Sequence, residues 1–123
     1  MGKAFLAIGG TTSLLAVALG AFGAHALKDR VPPELLAVWH TGAEYQAMHA
    51  LGLLAVGLVA MRLPESRPLR WSGWLMLAGI ALFSGSLYAL ALTGERWVGA
   101  LTPVGGLAFI AAWTLFVAAV LRA

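Results

Sequence analysis

The chain has 123 residues, of which 61% are hydrophobic and 11% charged; its formal charge is +3 and it has no cysteine. Soluble domains carry about 25% charged residues, and so short a chain has too small an interior to hide this much apolar surface from water, which excludes an ordinary soluble domain. The lack of cysteine excludes disulfides, thiolate metal sites, iron–sulfur clusters and cysteine nucleophiles, and a small, dispersed positive charge with no basic–aromatic stripe argues for no nucleic acid among the partners.

Charge placement sets the fold class. Residues 4–27, 45–61, 71–94 and 97–121 contain no Asp, Glu, Lys or Arg. Crossing about 30 Å of hydrocarbon takes about 20 such residues in a helix. The pattern predicts an all-α integral membrane four-helix bundle, one domain over 1–123 surrounded by the lipid bilayer. Its helices are placed at about 4–26, 34–62, 71–92 and 102–121.

In the first segment, Lys3 precedes the apolar run, and Ala24-His25-Ala26 has the form of a signal-peptide cleavage site. The run exceeds a signal core of about 7–15 residues, and three further spans follow, so it reads as a retained helix. Thr12, Ala16, Gly20 and Ala24 recur at every fourth position, a small-residue stripe that lets a neighbouring backbone approach. Pro32 and Pro33 close the loop, and Pro33 suits the first turn of the second helix, where a missing N–H costs nothing. That helix is longer than a span requires. Its first turns, with Glu34, Trp39, His40 and Thr41, are placed at the membrane surface, a level at which tryptophan is common. A loop over 62–70 carries Pro64, Pro68 and three arginines. The third helix has a second small stripe, Ala81, Gly85, Ala89 and Thr93. The fourth opens at Thr102-Pro103.

With four spans, Lys3, Arg62, Arg67, Arg70 and Arg122 share one side, and Lys28, Arg30 and Arg96 the other. The positive-inside rule then puts both termini of a multi-pass cell (inner) membrane protein in the cytoplasm.

Chemistry has to come from polar residues within the spans, which are costly there and functional by default. The candidates are His25, His40, Glu44, Tyr45, Gln46, His49, Ser84, Ser86, Tyr88 and Thr102. Counting along each helix places them in the outer half of the bundle, over an inner half of Leu, Ala, Val and Ile. Two readings stand. In one, these groups hydrogen-bond across helices and fix the packing, at about 0.6 kcal/mol per bond. In the other, Glu44 and a histidine bind a proton or a small ligand. His40 and Glu44 have a chelating spacing to which His25 or His49 adds a ligand, but His49 is rotated away from Glu44, so no metal is expected. His25 ends a helix rather than lying mid-span, which argues against haem. No cofactor, catalytic residue or phosphate loop is expected.

Four blocks in order resemble one family. They are Gly20-Ala21-Phe22-Gly23-Ala24-His25-Ala26-Leu27, the run from Trp39 to Leu51, Leu82-Phe83-Ser84-Gly85-Ser86-Leu87-Tyr88, and Leu101-Thr102-Pro103-Val104-Gly105-Gly106. Together they are similar to the YgdD/YwdK-like bacterial inner-membrane proteins, the domain of unknown function 423, over essentially the whole chain. The resemblance implies a four-span membrane protein with no catalytic residue to carry over. It also implies that His25, Tyr45-Gln46 with His49, Ser84-Gly85-Ser86 with Tyr88, and Thr102-Pro103 are recurring positions. The family pattern often has a neutral residue where Glu44 stands, which moves weight to His25, Tyr45 and His49. The expected role is structural support or assembly, or binding of a lipid or small ligand, with a homo-oligomer formed through the small-residue faces. The alternative is a small oligomeric transporter or a proton-linked channel subunit.

Overall fold

A computed structural model describes all 123 residues. It contains no strand. Four helices are long and apolar enough to cross a membrane: α1 Gly2–Leu27, α2 Pro33–Ala60, α3 Arg67–Thr93 and α4 Arg96–Arg122. Their ends follow local chemistry. Pro32 is extended (φ −58°, ψ 151°) and Pro33 is the first residue of α2, as its fixed φ favours. Helix α3 starts four residues earlier than the charge pattern implied. Ser66 caps it, its side chain accepting from the Leu69 backbone N–H at 3.3 Å, and Pro68 is tolerated in the first turn. Gly94, in the left-handed region at φ 72°, ends α3, and its N–H reaches the Leu90 carbonyl. Helix α4 opens with a tight 3-10 stretch, Arg96–Leu101, before the α-helix proper from Thr102.

Helix α1 packs mainly on α2, α3 mainly on α4, and α2 joins the two pairs. Half of the apolar window of α2 is buried, against 17% of that of α1; α2 is the central helix and α1 an outer one. The α1–α2 contact is close because glycines line it. A Cβ on Gly9 would meet the Leu54 nitrogen at 2.9 Å, and one on Gly57 would meet the Leu6 nitrogen at 2.9 Å. Between α3 and α4, Gly79 receives the ring of Phe109 and Gly105 lies against the Phe83 backbone. The main core gathers Phe5, Leu53, Val56, Leu69, Met76 and Phe109. A smaller one around Leu27, Trp39 and Ala91 closes the opposite end.

The small-residue stripes only partly match these contacts. Thr12 and Ala16 are buried, but a Cβ on Gly20 would meet nothing and Ala24 is exposed. A strict four-residue repeat drifts about 40° per step at 3.6 residues per turn, so it leaves the contact face after two steps. The buried line on α1 alternates threes and fours instead, through Gly2, Phe5, Gly9, Thr12 and Ala16. On α3, Ala81 and Thr93 are exposed and Gly85 and Ala89 half-buried, while Ser72, Met76, Ile80, Ser84, Leu87 and Ala91 face inward.

Candidate functional site

Three cross-helix contacts, two of them hydrogen bonds, set the level of each residue. Trp39 Nε1 donates to the Leu19 carbonyl at 2.8 Å, Gln46 Nε2 donates to the Thr12 carbonyl at 2.9 Å, and Gly57 lies opposite Gly2. Helices α1 and α2 thus run antiparallel, with Gln46 near the level halfway between Lys3 and Lys28. Gln46 and His49 therefore lie near mid-span, whereas Ser86, Tyr88 and Thr102 belong to the outer halves of α3 and α4. In the inner half, Ser72 Oγ donates to the Ala112 carbonyl at 2.7 Å, so that half is not wholly apolar either.

Gln46, 4% exposed, joins three helices. The Thr12 carbonyl can only accept, which fixes the amide orientation and turns Oε1 toward α3, where Tyr88 OH donates to it at 2.7 Å. One turn further along α2, His49 is 2% exposed. Trp113 of α4 donates its indole N–H to His49 Nε2 at 3.0 Å. An indole nitrogen never accepts, so Nε2 is the acceptor and Nδ1 bears the proton, which it donates to the Tyr45 carbonyl at 2.8 Å. The neutral imidazole is fully used. A second proton on Nε2 would point at the Trp113 N–H. The ring also lies flat on Phe109, with centroids 3.5 Å apart and planes 9° apart. Gln46 and His49, three residues apart on one face, therefore tie α2 to α1, α3 and α4.

The remaining candidates lie apart from this pair. Ser86 Oγ and Thr102 Oγ1 are hydrogen-bonded at 2.6 Å, holding the start of the α-helical part of α4 to α3. Tyr45 contributes its carbonyl; its ring is 37% exposed and packs 4.6 Å from that of Phe83. Ser84 is fully buried and its hydroxyl has no partner. It ends a widened π-helical turn, Ile80–Ser84, across which the Gly85 N–H reaches back to the Ile80 carbonyl. His25 is exposed on a second widened turn, Gly23–Leu27, and His40 is half-buried beside Gly23. Glu44 is exposed on the outward face of α2, only two residues from Gln46, so it lies near mid-span. No cluster of three His or acidic side chains that could hold a metal forms anywhere.

Trp39 also differs from its surface placement. It is 3% exposed, packed at a tilt between the rings of Phe22 and Tyr88 with centroids 5.4 and 4.7 Å away, and its N–H is satisfied inside the protein. Sequence reasoning passed over Trp113, Ser72 and the Thr12 carbonyl. Trp113 carried a signal: an indole in the middle of an apolar span needs an acceptor, and few are available there. The Thr12 carbonyl carried none, because backbone acceptors are shared by every residue.

The family described as a protein of unknown function (DUF423) matches residues 19–106. The chain is 49% identical to the UPF0382 membrane protein YwdK of Bacillus subtilis, over 98% of each chain. It is 44% identical to a UPF0382 membrane protein of Staphylococcus epidermidis, over 98% of this chain and 97% of that one. It is 45% identical to the UPF0382 membrane protein SSP2132 of Staphylococcus saprophyticus, over 94% of each. No solved structure matches the chain. The polar layer described above therefore sits in a membrane protein whose relatives carry no assigned biochemical role, and the chain belongs to the DUF423 family.

Proposed function

We propose that the chain is a structural and assembly unit of the membrane, a rigid four-helix block, and not a conduit. The observation that carries this reading is the complete use of Gln46 and His49. Every bond they make runs to another group of the protein, and the five main clefts of the surface are lined by neither of them, nor by Tyr88 or Trp113. A relay needs a group that can take up and hand on a proton, and His49 has no free nitrogen for it. The test is reconstitution in proteoliposomes. Proton flux should equal that of protein-free liposomes across a broad pH range, while His49→Gln lowers stability against denaturing detergent. Protein-dependent flux abolished by His49→Gln would refute the reading.

A second reading, an oligomeric transporter or proton-linked channel subunit, has one observation in its favour: Glu44 faces outward near mid-span. Charged side chains there cost at least about 2.5–3.5 kcal/mol and are seldom left facing lipid. Flux that disappears in Glu44→Gln but survives His49→Gln would select it.

We further propose an inner-membrane location with both termini cytoplasmic, on the five-to-three distribution of Lys and Arg. The natural absence of cysteine makes the test clean. Single cysteines at Ala123 and at Glu95, both exposed, should react with a membrane-impermeant maleimide in intact cells only at position 95. The reverse pattern, or labelling at both, would overturn the orientation.

A further inference from the structure

At the end of the bundle that holds Arg62, Arg67, Arg70 and Arg122, two clefts join. One, of about 430 Å³, lies between the α2–α3 loop and the end of α4, and is lined by Ser66, Arg67, Ala119 and Arg122 among others. The second, of about 450 Å³, runs along the outer face of the bundle between the ends of α2 and α4, past Leu58, Val59, Arg62 and Val120. Leu63 and Ala123 line both. We infer that these clefts form a binding site for an anionic phospholipid, its phosphate among Arg62, Arg67 and Arg122 and an acyl chain along Leu58, Val59 and Val120.

Three independent features converge on that ligand. The first is charge. Arg62, Arg67 and Arg122 are all exposed, and guanidinium forks suit phosphate oxygens. Glu65 is the one acidic side chain in the combined lining, against these three arginines. The second is the backbone. The N-terminus of α3 opens into the first cleft at Ser66, Arg67 and Pro68 and brings the positive end of its dipole there; of its first N–H groups only that of Arg67 is free, because Ser66 N–H donates to the Leu63 carbonyl, Leu69 N–H to Ser66 Oγ, and Pro68 has none. The third is the shape of the apolar part. Leu58 is 62% exposed and Val120 46%, so the second cleft opens sideways toward the hydrocarbon, where an acyl chain lies, and not toward water. A soluble anion would match the first two features and leave the third unused. Basic pockets between helix ends at the membrane surface hold anionic headgroups for the same reasons.

The experiment uses the full chain in neutral detergent. Dioleoylphosphatidylglycerol, dioleoylphosphatidylcholine and inorganic phosphate are titrated separately, with the unfolding midpoint as readout. Phosphatidylglycerol should raise the midpoint; phosphatidylcholine and inorganic phosphate should not. At about fivefold in affinity for each surface arginine, Arg67→Gln combined with Arg122→Gln should weaken phosphatidylglycerol binding by roughly 25-fold. All these side chains are exposed, so the midpoint without added lipid should not move. Lys28→Gln with Arg96→Gln removes the same charge from the opposite end and should leave binding unchanged. Glu65→Gln should tighten it. Equal stabilisation by phosphatidylcholine would overturn the site, as would equal losses from the two double variants. Saturation by inorganic phosphate alone would overturn the lipid as its ligand.

Discussion

The α3–α4 seam offers a sharp test, because two adjacent glycines of α4 should respond to the same substitution with opposite signs. An ideal Cβ on Gly105 would lie 2.7 Å from Phe83 Cβ and 2.8 Å from its Cα, and closer still to its backbone nitrogen. None of these atoms is the end of a flexible side chain, so the helices themselves must separate. On Gly106 the nearest atom is Phe83 Cδ2 at 3.9 Å, an ordinary contact. Replacing a helical glycine with alanine gains about 0.5–1 kcal/mol from the backbone wherever space allows. Overpacking a tight contact costs about 1–3 kcal/mol. Gly106→Ala should therefore be neutral or up to about 1 kcal/mol more stable. Gly105→Ala should be roughly 1–2 kcal/mol less stable, the clash less the backbone gain. The separation has a reach: Phe83 packs at a tilt against Phe109, centroids 5.5 Å apart, and Phe109 lies on His49. Equilibrium unfolding in mixed micelles titrated with sodium dodecyl sulfate, followed by tryptophan fluorescence, measures both variants against wild type. Equal stabilities for the two variants would refute the close approach of α3 and α4, and with it the register that brings Trp113 to His49.

Other outcomes follow from the polar layer. Gln46→Leu and Tyr88→Phe, combined in a double-mutant cycle, should show a coupling of about 0.6–1.7 kcal/mol, the range for hydrogen bonds between membrane helices; additivity within error would mean that the 2.7 Å bond contributes nothing. Ser84→Ala removes a buried hydroxyl that has no partner, so it should be neutral or up to about 1 kcal/mol stabilising; a clear loss of stability would mean that the hydroxyl is bonded. Glu44→Gln, on an exposed position, should change the stability of the isolated chain by less than about 0.5 kcal/mol. A larger loss in detergent would place the carboxylate in a contact that stabilises the bundle.

Much of this protein was legible before any coordinates. Four uncharged runs separated by charged, proline-containing loops leave the chain little choice, since a backbone in lipid must satisfy its own hydrogen bonds and a helix does so within one segment. Pro33 and Pro103 marked helix starts because proline's fixed φ and missing N–H fit only there. The candidate residues Gln46, His49, Tyr88, Ser86 and Thr102 were visible as polar groups in apolar spans. Their partners were decided by the tertiary structure alone. Gln46 meets a backbone carbonyl 34 positions away and His49 an indole 64 positions away, and nothing in local periodicity encodes which helix faces which. The same limit explains Trp39, His40 and Glu44. About a third of a turn around α2 decides whether a side chain is buried against Leu19, rests beside Gly23 or faces outward. Composition places this chain in the membrane because the cost of exposing charge to hydrocarbon is paid residue by residue. The polar layer is a property of the packed bundle, because a hydrogen bond needs both partners at one level and on facing sides.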